Sequence, residues 1–356
     1  MANEKILVAM SGGVDSSVAA LLLKNGGYDC VGVTMKLFSQ ALMQNDEKAC
    51  GGTAEIGDAE RVAKKLEIPF HVRDLSGEFC THVVDYFVKT YLAGGTPNPC
   101  VECNRTMKFA KLYEVGRELG CEKIATGHYA SIEKDAGGRY LLSAADDLSK
   151  DQTYVLWSLS QEQLSRTIFP LSSLSKAEVR ELALANGFCN AERRDSQDIC
   201  FIPDGDYVGF IERYTKKSFP EGNFLDLNGN VIGRHQGHLR YTIGQRKGLG
   251  IAFGKPTYVC AKDAEKNTVV LGGNEDLFRR ELTAHGINLI ALPRIDSPIR
   301  VQAKVRYGAK PAAATVEQTG ENTLRLVFDE PQRAISAGQS VVLYDGNVVI
   351  GGGIID

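Results

Sequence analysis

The chain has 356 residues, 43% hydrophobic and 24% charged, with 41 lysines and arginines against 44 acidic residues and a net charge of −3. That balance excludes a fibrous or intrinsically disordered chain and gives no global attraction to nucleic acid. No apolar run approaches the ~18 residues of a membrane span, and no basic segment followed by an apolar core opens the sequence, so a cytoplasmic setting is expected, with two or three domains.

Ile6-Leu7-Val8-Ala9-Met10 reads as a buried parallel strand, and Ser17–Leu23 as a helix that Gly26-Gly27 stops. Ser11-Gly12-Gly13-Val14-Asp15-Ser16 joins them. A strand, a glycine turn and a helix N-terminus make an anion site, because backbone N–H groups point outward and the helix dipole adds positive potential. Gly12 and Gly13 let the chain pass close to a phosphate. The loop lacks the Gly-Lys-Ser/Thr ending of a P-loop. It carries Asp15 instead, which suits a polyphosphate when Mg²⁺ bridges the two. The alternative is a plain glycine turn.

Further strands are expected at Cys30–Met35, Phe70–Val72 and Lys123–Thr126, and helices at Glu55–Leu66, Phe79–Tyr91 and Phe109–Leu119. This alternation predicts a parallel sheet covered by helices on both faces. Ligands of such sheets sit at the carboxyl ends of the strands, so Met10, Met35 and Thr126-Gly127 should face one pocket. Helical stretches continue through Gln161–Thr167 and Lys176–Asn186.

After about residue 205 glycine turns multiply, and from about residue 280 strict alternation takes over. Arg300–Tyr307 reads as a half-buried strand, Thr323–Phe328 and Val341–Tyr344 as further strands, and Asp345-Gly346 as a hairpin turn. The fold class expected is α/β: a parallel-sheet domain over residues 1–205, a small central domain over 206–279 and a C-terminal β-barrel over 280–356. Two basic clusters, Arg234–Lys247 and Lys304–Lys310, either meet a phosphate backbone or are solvated surface. Tyr241–Leu249 interleaves Arg, Lys, Gln and Tyr with glycines. It is either a loop lying along RNA or a tight packing turn.

Nine cysteines, an odd number, argue against a disulfide framework. Asn98-Pro99-Cys100-Val101-Glu102-Cys103-Asn104-Arg105 contains a Cys-x-x-Cys, which in this setting points to metal, cluster or redox chemistry. Arg194–Ile202 adds a third candidate thiol, Cys200. Cys30 falls inside a strand and reads as core. Cys50, Cys80, Cys121, Cys189 and Cys260 stand alone and read as small buried or surface residues.

The Ser-Gly-Gly-x-Asp-Ser loop resembles that of the ATP pyrophosphatases, which cleave ATP between its α- and β-phosphates and adenylate a carbonyl oxygen. From end to end the chain resembles the tRNA-specific 2-thiouridylase family, which replaces the 2-oxygen of the wobble uridine with sulfur. The resemblance runs through Ala9–Ser16, Cys103-Asn104-Arg105 with Lys108-Phe109, Ala125–Tyr129, Lys150–Tyr154 and Ser196–Ile202. It continues through Gly237-His238, Tyr241–Leu249, Arg306-Tyr307, Gly338-Gln339 and Gly351–Gly353.

This resemblance implies an adenine-nucleotide-α-hydrolase-like (PP-loop) catalytic domain and a role for each matching residue. Ala9, Met10, Ser11, Gly12, Gly13, Val14, Asp15 and Ser16 would cradle ATP with Mg²⁺, and Met35 and Gly127 would lie at the adenine and ribose. Asn98, Pro99 and Cys100 would flank the flipped target base. Lys150, Asp151, Gln152, Arg306 and Tyr307 would contact the tRNA. Cys103 would be the nucleophile and Cys200 would carry sulfur as a persulfide. The substrates implied are tRNAs for Lys, Glu and Gln. The sulfur would come from a cysteine desulfurase or a relay protein, and no membrane is involved.

The chemistry fits that division. The C2 carbonyl of uracil is a poor electrophile, and adenylation turns its oxygen into a leaving group, AMP, that sulfur can displace. Charge building on the phosphates needs backbone donors and Mg²⁺, and the base must leave the anticodon stack. Arg105 or Lys108 would lower a thiol pKa, unless both are plain surface charge.

Many family members carry Asp where this chain has Cys100, and a thiol with a reference pKa of about 8.5 does not replace a carboxylate at neutral pH. With Cys103 and Cys200 it makes three thiolates, enough to hold a [4Fe–4S] cluster with one iron open. Two routes therefore stand: a Cys200 persulfide resolved by Cys103, or a cluster on Cys100, Cys103 and Cys200 whose open iron delivers sulfide. A structural zinc is a third option. Two other functions stand beside them: another PP-loop ATP pyrophosphatase, an amidotransferase or ligase acting on a small acceptor, and a non-catalytic RNA-binding module.

Overall fold

A computed structural model describes residues 4–38, 53–193, 199–251 and 254–356. The chain forms two compact units. The first comprises Met1–Val84, Pro99–Gly205 and Asn347–Ile350, and the second Asp85–Asn98, Asp206–Gly346 and Gly351–Asp356.

In the first unit β1 (Lys5–Ala9), β2 (Asp29–Lys36), β3 (Phe70–Asp74) and β4 (Lys123–Ala125) run parallel. After a hairpin of β5 (Ala130–Lys134) and β6 (Tyr140–Ala144), the short β7 (Thr167–Ile168) completes a sheet ordered β3-β2-β1-β4-β7. Period-two alternation in β1 serves both faces at once. Ile6 and Val8 join the core formed with α1 (Val14–Asn25), α2 (Thr53–Lys65) and α3 (Lys176–Ala185). Leu7 packs beside Gly116 of the helix Leu112–Glu118. The chain winds outward from β1 through β2 to β3 and then returns to β4 on the other side. This places a topological switch between β1 and β4, where ligands of such sheets bind.

Two expectations shift here. The helix expected over Gln161–Thr167 ends at Ser165, and Thr167-Ile168 pairs with β4 as a fifth strand too short to show periodicity. The β5–β6 hairpin was not expected.

In the second unit β8 (Gly222–Leu225), β9 (Val231–His235), β10 (Tyr258–Asp263) and β11 (Thr268–Gly272) form a sheet ordered β10-β11-β8-β9. Phe224, Val259, Val269 and Leu271 make its core with Tyr241 and Leu249. The strands β12 (Phe278–Leu289), β13 (Ile299–Lys304), β14 (Ala312–Gly320), β15 (Thr323–Arg333), β16 (Ser340–Asp345) and β17 (Val348–Ile355) follow in the order β12-β15-β14-β13-β16-β17. The β12–β17 pairing closes the barrel. Closure removes the exposed edges that an open sheet of this size would carry. β13 stops at Lys304, short of Arg306-Tyr307.

One group in this unit opposes folding. The Lys262 ammonium on β10 is buried without a hydrogen-bond partner among the described residues, and desolvation pulls its pKa from 10.5 down to about 8. A base whose pKa is lower folded than unfolded binds protons better when unfolded. Folding therefore carries the full penalty below about pH 8, and stability rises with pH between about 8 and 10.5. Lys262→Met is expected to stabilise the protein by up to about 3 kcal/mol at pH 7, with the gain shrinking toward pH 10. Urea denaturation at both pH values checks this; an equal gain at both would assign the effect to packing instead of charge.

Candidate active site

β1 ends at Ala9 and delivers the following loop to the head of α1. The Met10 N–H donates to Val33 O at 2.9 Å, and its carbonyl accepts from Thr34 Oγ1 at 2.6 Å. The Met10 side chain is 1% exposed and lies in the core with Ile6 and Val8. Met10 therefore departs from the expected pocket position: alternation along the strand points it into the core, so only its backbone belongs to the loop. Met35, at the end of β2, is partly exposed.

Gly12 has φ +78°, and a Cβ there would come within 2.3 Å of the Glu55 carbonyl oxygen, so only glycine fits. Gly13 is extended and leaves the start of α1 without a side-chain cap. The loop hydroxyls bond the loop's own backbone instead. Ser16 Oγ and Ser17 Oγ each donate to Gly13 O at 3.0 Å, and the Ser11 N–H donates to Ser16 Oγ at 3.2 Å. The first-turn N–H groups of α1 thus remain for an anion. Gly127 follows β4 across the switch and presses on this turn: a Cβ there would lie 2.7 Å from Asp15 C and Ser16 N.

Three side chains bear on the loop from outside it, of which only Tyr129 falls in a motif singled out above. Lys176 Nζ lies 2.6 Å from Asp15 Oδ1, and the Tyr129 hydroxyl donates to the same oxygen at 3.0 Å. The buried Asn190 donates from Nδ2 to Gly12 O at 2.8 Å and to Ser17 Oγ at 3.0 Å. Arg193 pairs with Asp58 at 2.6 Å and with Glu55. A lysine at the first position of a helix is the one local signal among these, since the dipole disfavours a cation there. Asn190 carries none.

Pro99 opens the one-turn helix Pro99–Glu102, and Cys103–Lys111 continues as π-helical turns of a kind frequent at functional sites. Gln163 Nε2 donates to Arg105 O at 2.9 Å and Phe109 O at 3.1 Å, and Asn104 Nδ2 donates to Val155 O at 2.8 Å. These bonds hold the irregular helix in place. Cys103, its first residue, is buried; Cys100 is open to solvent; Cys200 is partly exposed. Of the Arg194–Ile202 motif, Arg194–Asp198 lie outside the described residues, as does Cys50. Phe201 packs edge-on to Phe79 with ring centroids 5.7 Å apart.

The cationic neighbours do not lower the Cys100 thiol. Arg105 is spent on Glu102 at 2.8 and 2.9 Å. Although part of Cys100 is open to solvent, the protein packed around it raises the thiol pKa by more than the Lys108 charge lowers it. Lys108 Nζ also lies 3.4 Å from His128 Nε2, while His128 Nδ1 lies 2.7 Å from Thr126 Oγ1. Burial first, then the Lys108 charge, hold His128 well below its ordinary pKa, so it is neutral at pH 7. With Lys108 donating to Nε2, the ring proton sits on Nδ1 and points at Thr126.

Among the described residues no three His, Cys, Asp or Glu side chains converge closely enough to hold a metal ion. Cys100, Cys103 and Cys200 as arranged here do not fit a [4Fe–4S] cluster or a zinc.

Asp151 and Gln152, two of the expected tRNA contacts, are half-buried and already hydrogen-bonded. Gln152 Oε1 accepts from the Tyr129 N–H at 2.9 Å, and both Asp151 carboxylate oxygens accept from Thr153. Lys150 is partly exposed. In the second unit Asn98 is partly exposed and Arg306 and Tyr307 are exposed. The Tyr241–Leu249 loop is packed at both ends and open in the middle. Tyr241 and Leu249 anchor it in the β8–β11 core, and Arg246 and Lys247 are presented to solvent between them. Cys30 and Cys121 are buried, Cys80 and Cys260 partly so, and Cys189 is exposed.

Three family models match in succession: "tRNA methyl transferase HUP domain" over residues 4–204, "tRNA methyl transferase PRC-barrel domain" over 208–273 and "Aminomethyltransferase beta-barrel domain" over 279–355. The chain is 51% identical over 355 residues to the tRNA-specific 2-thiouridylase MnmA of Clostridioides difficile (strain 630), covering 99% of this chain and 98% of that one. It is 46% identical over 354 residues to the protein of that name from Lachnoclostridium phytofermentans, covering 99% of each. A solved 4-thiouridine synthetase–RNA complex with bound ATP overlaps 56% of this chain and 45% of that chain, at 20% identity and a TM-score of 0.35, a likeness too loose to place any residue. Among the described residues no helix is long and apolar enough to cross a membrane.

Proposed function

Since the chain belongs to the tRNA-specific 2-thiouridylase family and is an ATP-using tRNA 2-thiouridylase, we propose that Ala9–Ser16, Met35 and Gly127 hold ATP and that Cys103 and Cys200 move sulfur. The uncapped head of α1, set beside Gly127 at the switch point, is the observation that carries this reading. Asp15 fits Mg²⁺, which when bound neutralises charge on the departing pyrophosphate.

The C2 oxygen of uridine 34 attacks the α-phosphorus of ATP, and the α–β bond breaks as pyrophosphate leaves. The terminal sulfur of a Cys200 persulfide then attacks C2, and AMP leaves with the former C2 oxygen. The Cys103 thiolate attacks the Cys200 sulfur next. The S–S bond breaks, its electron pair goes to the sulfur on the base, and a Cys103–Cys200 disulfide remains for an external dithiol to reduce. Asn98, Pro99 and Cys100 flank the base, and Lys150, Asp151, Gln152, Arg306 and Tyr307 meet the tRNA. The substrates are tRNAs for Lys, Glu and Gln in the cytoplasm, and a cysteine desulfurase or a relay protein loads Cys200.

Purified protein with unmodified tRNA, ATP, Mg²⁺ and a persulfide donor is expected to give 2-thiouridine at position 34 by nucleoside mass spectrometry, with one AMP and one pyrophosphate per sulfur. No 2-thiouridine would overturn the assignment. The three thiols do not fit a cluster, so anaerobically purified protein is expected to hold less than about one iron per chain; about four, lost in Cys100→Ala, would overturn the two-thiol route.

Arg246→Ala with Lys247→Ala is expected to weaken tRNA binding uniformly across tRNAs and to reduce the salt slope of log Kd by about 1 to 2. A fluorescence titration at several salt concentrations reads this directly. An unchanged slope would leave the loop a packing role alone.

A further inference from the structure

The loop read here as the ATP cradle contains a carboxylate and no lysine. Phosphate charges placed beside Asp15 repel it unless a cation stands nearby. The structure puts one there from outside the loop. Lys176 Nζ lies 2.6 Å from Asp15 Oδ1, its side chain is 12% exposed, and it sits 6.0 Å from the centre of the Tyr129 ring. The Tyr129 hydroxyl donates to the same Asp15 oxygen, so the carboxylate and the ammonium are both held in position.

This lysine occupies an unfavourable place for helix stability. It is the first residue of α3, where the dipole favours acidic groups. The local fold already provides what the helix start needs. Ser175 and Glu178 form a capping box, and Asp147 Oδ2 accepts from the Lys176 N–H at 3.2 Å. The side chain is directed across to the head of α1. The head of α1 and the Lys176 ammonium thus meet at Asp15.

We propose that Lys176 is a substrate-binding residue for the β- and γ-phosphates of ATP. Its ammonium pairs with Asp15 and turns onto the pyrophosphate portion of the nucleotide when ATP binds. It supplies from α3 the charge that a P-loop lysine supplies from within its own loop. Pyrophosphate is the leaving group, so the same contact strengthens as the α–β bond breaks, and turnover falls along with binding when it is removed. The proposal rests on the ATP reading of the loop.

Calorimetric titration of the full chain with MgATP and, separately, with AMP separates a phosphate contact from support of the loop. In Lys176→Met the ATP Kd is expected to rise roughly 10- to 100-fold while the AMP Kd stays within about twofold. Lys176→Arg should recover part of the loss. An equal loss for both nucleotides, or no loss for either, would overturn the proposal. Lys176→Gln gives the same comparison if the methionine variant does not fold. Wild-type protein that binds neither nucleotide would overturn the ATP reading itself, an outcome distinct from a failed ATP-to-AMP contrast.

Discussion

Cys103→Ser is expected to lower 2-thiouridine formation at least about a thousandfold while tRNA-dependent pyrophosphate release persists. A serine hydroxyl nearly matches the thiol in size, and the π-helical turn it opens is tied down by bonds from Gln163 and Asn104 that the substitution leaves in place. The fold and the ATP loop should therefore be intact. A hydroxyl provides almost no anion at neutral pH and cannot open the persulfide bond. The reaction should halt with tRNA joined through sulfur to Cys200, visible as a slow band on a denaturing gel that dithiothreitol removes. Thiolation at the wild-type rate by this variant would remove Cys103 from the mechanism and leave Cys200 acting alone.

Gly127→Ala should weaken ATP binding by about 10- to 100-fold and cost about 1 to 3 kcal/mol of stability, the usual penalty of overpacking. The new methyl would lie 2.7 Å from the Asp15 carbonyl carbon and the Ser16 nitrogen. Both are backbone atoms at the head of α1, and neither can rotate aside as a side chain would. The strain falls on the turn that presents N–H groups to the phosphates. Gly116→Ala is the control: its Cβ would meet the tip of Leu7 at 3.3 Å, a side chain that can yield. Calorimetric ATP titration and thermal unfolding of both variants check the contrast. An unchanged ATP Kd in Gly127→Ala would separate Gly127 from the nucleotide.

The parts of this site that the sequence makes legible are the contiguous ones. The run from β1 through the glycine turn into α1 announces itself, because burial, turn and helix head follow one another within twenty residues. The barrel strands show through period-two alternation, as in Arg300, Val301, Gln302 and Ala303, which alternate between exposed and buried. What stays hidden is long-range or very short. Lys176 reaches Asp15 across 161 positions, and Asn190 reaches Gly12 across 178; no local pattern encodes such pairings. Thr167-Ile168 is too brief to show a period. At Met10 the end of the strand marks the loop's start, but alternation commits the side chain to the core and leaves only its backbone at the site. For the Cys100 thiol, the sequence shows the lysine that would lower its pKa but not the crowding that raises it.

The first unit also has a consequence for synthesis on the ribosome. Its hairpin β5–β6 is joined by residues 347–350: Val348 pairs with Ser143, and the Ala144 N–H donates to Asn347 O at 2.9 Å. Those partners are translated some two hundred residues after the hairpin, a delay of roughly 10 to 40 seconds at ordinary elongation rates. Through that interval the nascent domain presents the Leu142–Ala144 end of β6 as an open β-edge able to capture a neighbouring chain, while Gln161 already covers Tyr140. Expression yield should therefore track translation speed and holdase supply over this stretch more closely than it tracks the stability of the finished enzyme.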